Sequence, residues 1–537
     1  MSYSTFEFIA FLAAVLVVYY IIPKKFQWIV LLAASYAFYL LDGVAQVAYI
    51  AGSTVITYTS AMIMQKKRDR YKQKLADLSK NGEVSREEKQ QMKKEAGTSI
   101  HRVQVITILI QLGILVVVKY LNFMLGVADS VVGLFTDGVS ISGISILVPL
   151  GISFYTFMSI GYIIDIGKGK YEAERNIGKL ALFVSFFPSV IQGPINRFDD
   201  MGRQLFEGHK LEYDNLKYGA QLMMWGFFKK LVIADRVAPF VGTIFSSGYE
   251  KYSGTALFVG VLGYAVQIYA DFSGGIDIAS GAAQMLGILM PKNFERPYFS
   301  ETLAEYWRRW HITLGAWMRE YVFFPIMLSK FVSNLSKRAK NKFGNQAAKI
   351  VSSVITTFTV FLLIGIWHGS SWQYVAFGLY NATIVALSVA LEGVFVKINT
   401  KLKINTECFS WKLFRIVRTF LITGGSKILV KAPGLSAAIV IFKKIFTDFD
   451  FDFLFGVDGE IYNLGIDSKN MTILMLSLLV LLVVSILQEK GIKLRETLAK
   501  QNIVFRWLVY ITAIVVILVF GMYGPEYNAV DFIYRKY

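Results

Sequence analysis

Cysteine occurs once in this chain of 537 residues, at Cys408. That excludes an internal disulfide and argues against a cysteine metal site or a thiol-based acyl relay. Histidine occurs four times, and charged residues make up only 18% of the sequence. A Gly-rich phosphate loop, a nucleotide fingerprint and a Ser-His-Asp set are absent. So is an internal repeat of the inverted kind that often builds transporters. The N-terminus lacks a basic n-region and a small-residue cleavage site, so the first apolar run is expected to be a retained span.

What the chain has in abundance is apolar length. Hydrophobic residues reach 55%, aromatics 15%, and mean hydropathy is +0.48. Many runs approach the length of a bilayer crossing, which identifies a polytopic membrane protein. The expected fold is all-α, with about 11–13 transmembrane helices plus re-entrant segments in a single membrane-embedded domain over 1–537. The net charge of +18 does not indicate nucleic acid, because the basic residues gather in loops beside the apolar runs, the positive-inside pattern.

Three apolar runs near 5–22, 26–41 and 45–64 precede a polar insert over 65–102, which carries twelve Lys/Arg against six Asp/Glu. The insert belongs in the cytoplasm, which places the N-terminus outside; its stretch from Asp69 to Glu95 reads as solvated helix. Further spans are expected near 103–124, 142–166, 254–272, 350–366, 372–395, 419–443, 471–488 and 505–521, with a helix near 214–247. Basic loops, such as the one with Lys397, Lys401, Arg415 and Arg418, fall on one side. Acidic loops, with Asp129 and Asp137 or with Asp448, Asp458 and Asp467, fall on the other. This puts the C-terminus outside and Cys408 inside. The segment 176–200 is apolar but broken at Pro188, Gly193 and Pro194, and reads as re-entrant.

Ionisable residues at membrane depth mark pathways or chemistry. His368 lies between two spans in Leu363-Ile-Gly-Ile-Trp-His-Gly-Ser-Ser-Trp372, with Gly369 allowing close backbone approach and Trp367 able to exclude water. A neutral imidazole there suits general-base work on a hydroxyl; a histidine satisfied by a backbone carbonyl at a helix end is an equally good account. His311 lies in Tyr306-Trp-Arg-Arg-Trp-His-Ile-Thr-Leu-Gly315. Read as one helix from Glu305 to Tyr321, this stretch places Trp307, Arg308 and His311 on one face, with Trp310 as apolar wall. An anionic, acyl-bearing ligand fits that face, and so does the competing reading of an amphipathic helix at the inner interface. Asp271 and Asp277 are candidates to orient a histidine or pair with Arg308, Arg309 or Arg319. Two carboxylates with no matching histidine spacing argue against a metal site, so none is assigned.

In order along the chain, further motifs are Leu150-Gly-Ile-Ser-Phe-Tyr-Thr-Phe157, Phe186-Phe-Pro-Ser-Val-Ile-Gln-Gly-Pro-Ile195, Lys229-Lys-Leu-Val-Ile-Ala-Asp-Arg236, Tyr269-Ala-Asp-Phe-Ser-Gly274 and Asn293-Phe-Glu-Arg-Pro-Tyr298. With the two histidine motifs they cover roughly 150–385. This ordered set resembles the membrane-bound O-acyltransferase family, specifically its alginate O-acetylase-like bacterial branch. The resemblance implies the fold of that family, with His368 as principal catalytic histidine and His311 as the second. It implies an acyl-CoA donor, acetyl-CoA above all, used from the cytoplasm with no bound cofactor. An extracellular esterase-like partner and a polysaccharide acceptor are implied as well. In the tail 522–537, Asp531-Phe-Ile-Tyr-Arg-Lys-Tyr537 resembles the branch's aromatic C-terminal motif, in which Tyr534 matches an acyl carrier; Arg535 and Lys536 depart from it, with Tyr537 as the spare. Thr423-Gly-Gly-Ser-Lys-Ile-Leu-Val-Lys-Ala-Pro433 also departs, placing Lys427 and Lys431 where relatives carry an aromatic-rich span. Two rivals stand beside this reading: D-alanyl transfer to teichoic acid, and a polysaccharide-precursor transporter with a histidine proton relay.

Overall fold

Backbone amides have no water to bond in hydrocarbon, so helix is the default wherever the chain meets lipid. The computed structural model describes residues 1–80, 85–136, 143–144, 146–246, 248–450, 452–455, 460–523 and 532. Among these the chain is helical with no strand, and one isolated bridge, Phe294 to Trp310, interrupts the pattern. Seven helices are long and apolar enough to cross a membrane: Val44–Lys80, Arg86–Val132, Gly254–Met285, Asn345–His368, Trp372–Ala390, Ser468–Glu489 and Ile503–Phe520. Phe6–Ile21 is a shorter apolar helix. The remaining expected spans fall on shorter or interrupted helices, such as Lys24–Leu40, Ile152–Lys168 and the pair Phe409–Lys431 and Leu435–Thr447. Ile503–Phe520 buries none of its residues, which for an apolar helix calls for a lipid surround. The protein is an all-α, multi-pass membrane protein.

The described residues divide into two compact units, Met1–Lys217 with Ala282–Met290, and Tyr218–Gly281 with Pro291–Tyr537. In the first, the polar insert continues the flanking helices as a hairpin. Helices of 37 and 47 residues run about 55 and 70 Å at 1.5 Å per residue, well beyond a hydrocarbon core of about 30 Å. Their apolar parts are clasped by polar side chains: Gln111 Nε2 donates to Ser53 O (3.1 Å) and Thr57 Oγ1 (3.0 Å), and Ser53 Oγ donates to Gln111 Oε1 (3.0 Å). The span expected over 142–166 is shorter than its apolar run. Its helix begins only at Ile152, because Gly151 is left-handed and approaches Val190 O too closely for a side chain.

The re-entrant reading of 176–200 is matched by two short helices, Ile177–Ser185 and Phe187–Val190, followed by irregular backbone. All of Leu180 to Asn196 is buried in protein. Side chains supply the bonds that helix would have made. Tyr3 Oη donates to Phe187 O (2.7 Å) and accepts from Ile191 N (3.3 Å), while Ser35 Oγ accepts from Phe187 N (3.1 Å). The N-terminal ammonium lies 3.8 Å from Asp42, so both sit at one end of the unit.

In the second unit, the helical run Tyr213–Phe227, Phe228–Ala234 and Asp235–Ile244 passes through a wide turn that carries Lys229 and Lys230. It packs on Gly254–Met285, which is longer than the span expected over 254–272 and takes in the Gly-rich stretch after it. Glycines permit the approach: a Cβ on Gly226 would stand 2.6 Å from Gly274 O. Backbone-to-backbone packing of this kind is the usual way membrane helices associate. The helices on either side of His368 do the same, since a Cβ on Gly378 would meet Phe361 O at 2.5 Å.

That contact gives a stability expectation. Gly378→Ala forces two backbones apart and should lower thermal stability in detergent by about 1–3 kcal/mol. Gly52→Ala, at a helix position with nothing within 4 Å, should leave stability unchanged or raise it by up to about 1 kcal/mol. Unfolding midpoints followed by tryptophan fluorescence compare the two variants directly.

Candidate active site

His368 is the last residue of the helix Asn345–His368, and Gly369 follows in extended backbone. The helix ends here because Gly369 lies against the Tyr374 ring, too close for a side chain. The imidazole is 8% exposed. It packs edge-on against the Trp367 indole (ring centroids 4.9 Å) and the Phe377 ring (5.4 Å). It lines a small cavity of about 30 Å³ together with Tyr306, Trp307, Trp310, Phe377 and Lys427. Trp307 is fixed by Asn381, whose Oδ1 accepts from its indole N–H at 3.2 Å and whose Nδ2 donates to Phe377 O at 2.8 Å.

His311 is 2% exposed and sits on a break in the chain. The single helix expected from Glu305 to Tyr321 is instead two, Leu303–Arg309 and Ile312–Met318, with His311 between them in left-handed backbone (φ 47°, ψ 54°). The segment from Asn293 to Glu295 takes the bonds that a continuous helix would have used. Glu295 N donates to Arg309 O and Ile312 N donates to Asn293 O, both at 2.9 Å. Periodicity cannot reveal a competitor from another part of the chain, so the shared face of Trp307, Arg308 and His311 does not form. Arg308 is exposed, while Trp310 and His311 are buried.

The break also fixes the imidazole. Asn293 Oδ1 accepts from Thr313 N (3.0 Å) and Thr313 Oγ1 (2.9 Å) and lies 3.1 Å from His311 Nδ1. A backbone N–H only donates, so that Asn293 atom is the oxygen, and Nδ1 must carry the proton. The lone pair of the neutral ring is therefore on Nε2. His311 lies in neither of the spanning helices beside it, and burial, with the nearby His368 imidazole acting in the same sense, holds its pKa well below the usual histidine range. Its ring stands T-shaped on Phe272 (4.9 Å) and packs on Trp367 (5.9 Å). The two imidazoles thus flank one indole.

Other candidates are placed elsewhere. Asp271 pairs with Lys230 (2.7 Å), which also pairs with Asp235 (2.8 Å), and Asp277 pairs with Lys229 (2.7 Å). These buried lysines, and not Arg308, Arg309 or Arg319, are the cations that meet the two carboxylates. Arg309 instead bonds Glu305 and Glu489. Tyr534 and Tyr537, with Asp137 and Asp458, lie outside the described residues. In the tail, Phe532 is fully buried, with Lys230 Nζ 4.6 Å from its ring centre. Asn381 and Phe377 were not singled out by the sequence, and Asn293 appeared only as the first residue of a motif with no role assigned to it. The only signal for Asn381 is a polar residue in the apolar helix Trp372–Ala390.

Comparison with known proteins agrees with this architecture. Residues 173–429 match the membrane-bound O-acyltransferase family. A probable alginate O-acetylase of Azotobacter vinelandii is 31% identical over 392 residues, covering 73% of this chain and 69% of the relative. A peptidoglycan O-acetyltransferase of Helicobacter pylori is 31% identical over 45% of this chain and 47% of its own length. A teichoic acid D-alanyltransferase of Bacillus subtilis is 31% identical over 44% of this chain and 58% of its own length. With the helical membrane architecture and the buried histidine pair, these similarities place the chain in the membrane-bound O-acyltransferase family, as an O-acyltransferase.

Proposed function

We propose that this chain transfers an acetyl group from acetyl-CoA on the cytoplasmic side, across the membrane, for O-acetylation of an extracellular polysaccharide. The observation that carries the proposal is His368 on a small cavity walled by Trp307, Trp310 and Phe377, with His311 seated behind the same Trp367 indole. In this reading His368 removes the proton from an accepting hydroxyl, whose oxygen attacks the thioester carbonyl. The C–O bond forms, the C–S bond breaks, and the thiolate leaves as the thiol after taking up the proton. Indole and phenyl walls keep bulk water from competing. A cavity of about 30 Å³, roughly the share of one water in the liquid, favours a short acyl group. With its proton on Nδ1, His311 offers Nε2 as an acceptor, which suits proton uptake and not donation to an oxyanion. Exposed Arg308 has no part in that step.

The first acceptor in this scheme is the phenol of Tyr534, two residues beyond the buried Phe532 in the sequence. An aryl ester is more activated than an alkyl ester, so the acetyl group passes readily to an esterase-like partner outside and then to the polysaccharide. D-alanyl transfer is the second reading, supported by the similarity to the Bacillus subtilis enzyme.

His368→Ala is expected to cut acetyl transfer from labelled acetyl-CoA at least about 100-fold while the protein stays in the membrane with its thermal stability kept. Wild-type rates in that variant would remove the central assignment. Label trapped on the chain and located by peptide mass spectrometry should sit on Tyr534 and vanish in Tyr534→Phe; label persisting there, or sitting on Tyr537, would move the relay. Cys408 is the single cysteine, so a membrane-impermeant maleimide should label intact cells only after permeabilisation if that loop is cytoplasmic. Labelling from outside would invert the topology.

A further inference from the structure

The second unit holds three buried lysines of two kinds. Lys229 and Lys230 are neutralised by Asp277 and by Asp235 with Asp271. Lys427, on the helix Phe409–Lys431, is 5% exposed and pairs with no carboxylate among the described residues. Its Nζ donates to Thr423 Oγ1 at 2.7 Å and stands 5.0 Å from the Tyr298 ring centre, 5.5 Å from that of Tyr306 and 5.9 Å from that of Phe420. Three aromatic faces and one hydroxyl offset part of the cost of burying an ammonium here, and no carboxylate among the described residues cancels its charge. Lys427 lines the same cavity as His368.

We propose that Lys427 sets acyl specificity at this cavity, admitting neutral acyl groups and rejecting those that carry an ammonium. The D-alanyl group belongs to the rejected class, because its amine is protonated at neutral pH. A cavity of about 30 Å³ holds too little water to screen one cation from another as bulk solvent would. Two like charges a few ångströms apart at an effective dielectric near 20 disfavour binding by on the order of 100-fold or more. This inference rests on the acyl-transfer reading above and decides between its two versions from a residue on the page. It also gives a reason for the lysine that departs from the aromatic-rich pattern in this helix.

Propionyl and glycyl (aminoacetyl) groups have the same number of heavy atoms and differ by one charge, so they form a matched pair. The full chain in proteoliposomes is given labelled acetyl-CoA, propionyl-CoA or glycyl-CoA, and acyl label retained on the protein is followed with time. The wild type should prefer propionyl over glycyl by on the order of 100-fold. Lys427→Met, isosteric and neutral, should bring that ratio below about 10, and Lys427→Arg should keep it near the wild-type value. A wild-type ratio near one overturns the proposal without any variant. So does an active Lys427→Met, or Lys427→Gln should the Met variant be inactive, with an unchanged ratio. Failure of the wild type to take label from any donor instead overturns the acyl-transfer reading and this inference with it. Transfer of acetyl label leaves that reading standing while the ratio judges Lys427 alone.

Discussion

Hydrocarbon supplies no hydrogen-bond partners, and two breaks in helix that shape the described part of this protein are organised by that fact. Where the chain breaks, another segment or a buried side chain takes over the backbone groups. Tyr3 and Ser35 do this for Phe187 and Ile191. The segment Asn293–Glu295 does it for Arg309 and Ile312. The second case matters more for chemistry, because the break places His311 in left-handed backbone, a conformation costing a non-glycine residue on the order of 1 kcal/mol or more. Bonds on both sides of the break sustain it. The same asparagine that receives Ile312 N through its carbonyl also selects the imidazole tautomer through its side chain.

The site that results is short of water and rich in rings. His311 and His368 pack on opposite partners but share Trp367, so one indole sets the position of both. Trp307 is locked through Asn381, and Phe377 closes on His368. Polar groups here are few and each is assigned a task by geometry. Buried lysines divide in the same way: Lys229 and Lys230 stitch helices together through carboxylates, whereas Lys427 sits among aromatic rings beside the cavity. Removing one partner from a structural ion cluster leaves an uncompensated charge.

Sequence alone determined the class of molecule, and for a physical reason. The need for apolar length and the bias of basic loops act locally, so helices such as Asn345–His368 and Trp372–Ala390 and the special place of His368 at their junction were legible. The ordered motifs, read as a resemblance, pointed to the family that the comparisons then established. Of the residues that the structure gathers near His368, Trp307, Trp310, Trp367 and His311 were already candidates from their place in the sequence.

Tertiary structure decided what depends on partners distant in the chain. Helical periodicity over Glu305–Tyr321 was sound as local reasoning, and it failed because Asn293–Glu295 outcompeted the helix for its hydrogen bonds. That turned Arg308 outward and separated it from His311. Asp271 was marked as a candidate to orient a histidine or pair with an arginine, and only packing showed that Lys230, 41 residues away, is its partner. Lys427 stood out merely as a departure from a pattern; its aromatic cage combines Tyr298, Tyr306 and Phe420, brought together by folding. Spacing governs what a residue sees along one helix, whereas a site between helices is fixed by which backbones approach, and that is a property of the packed fold.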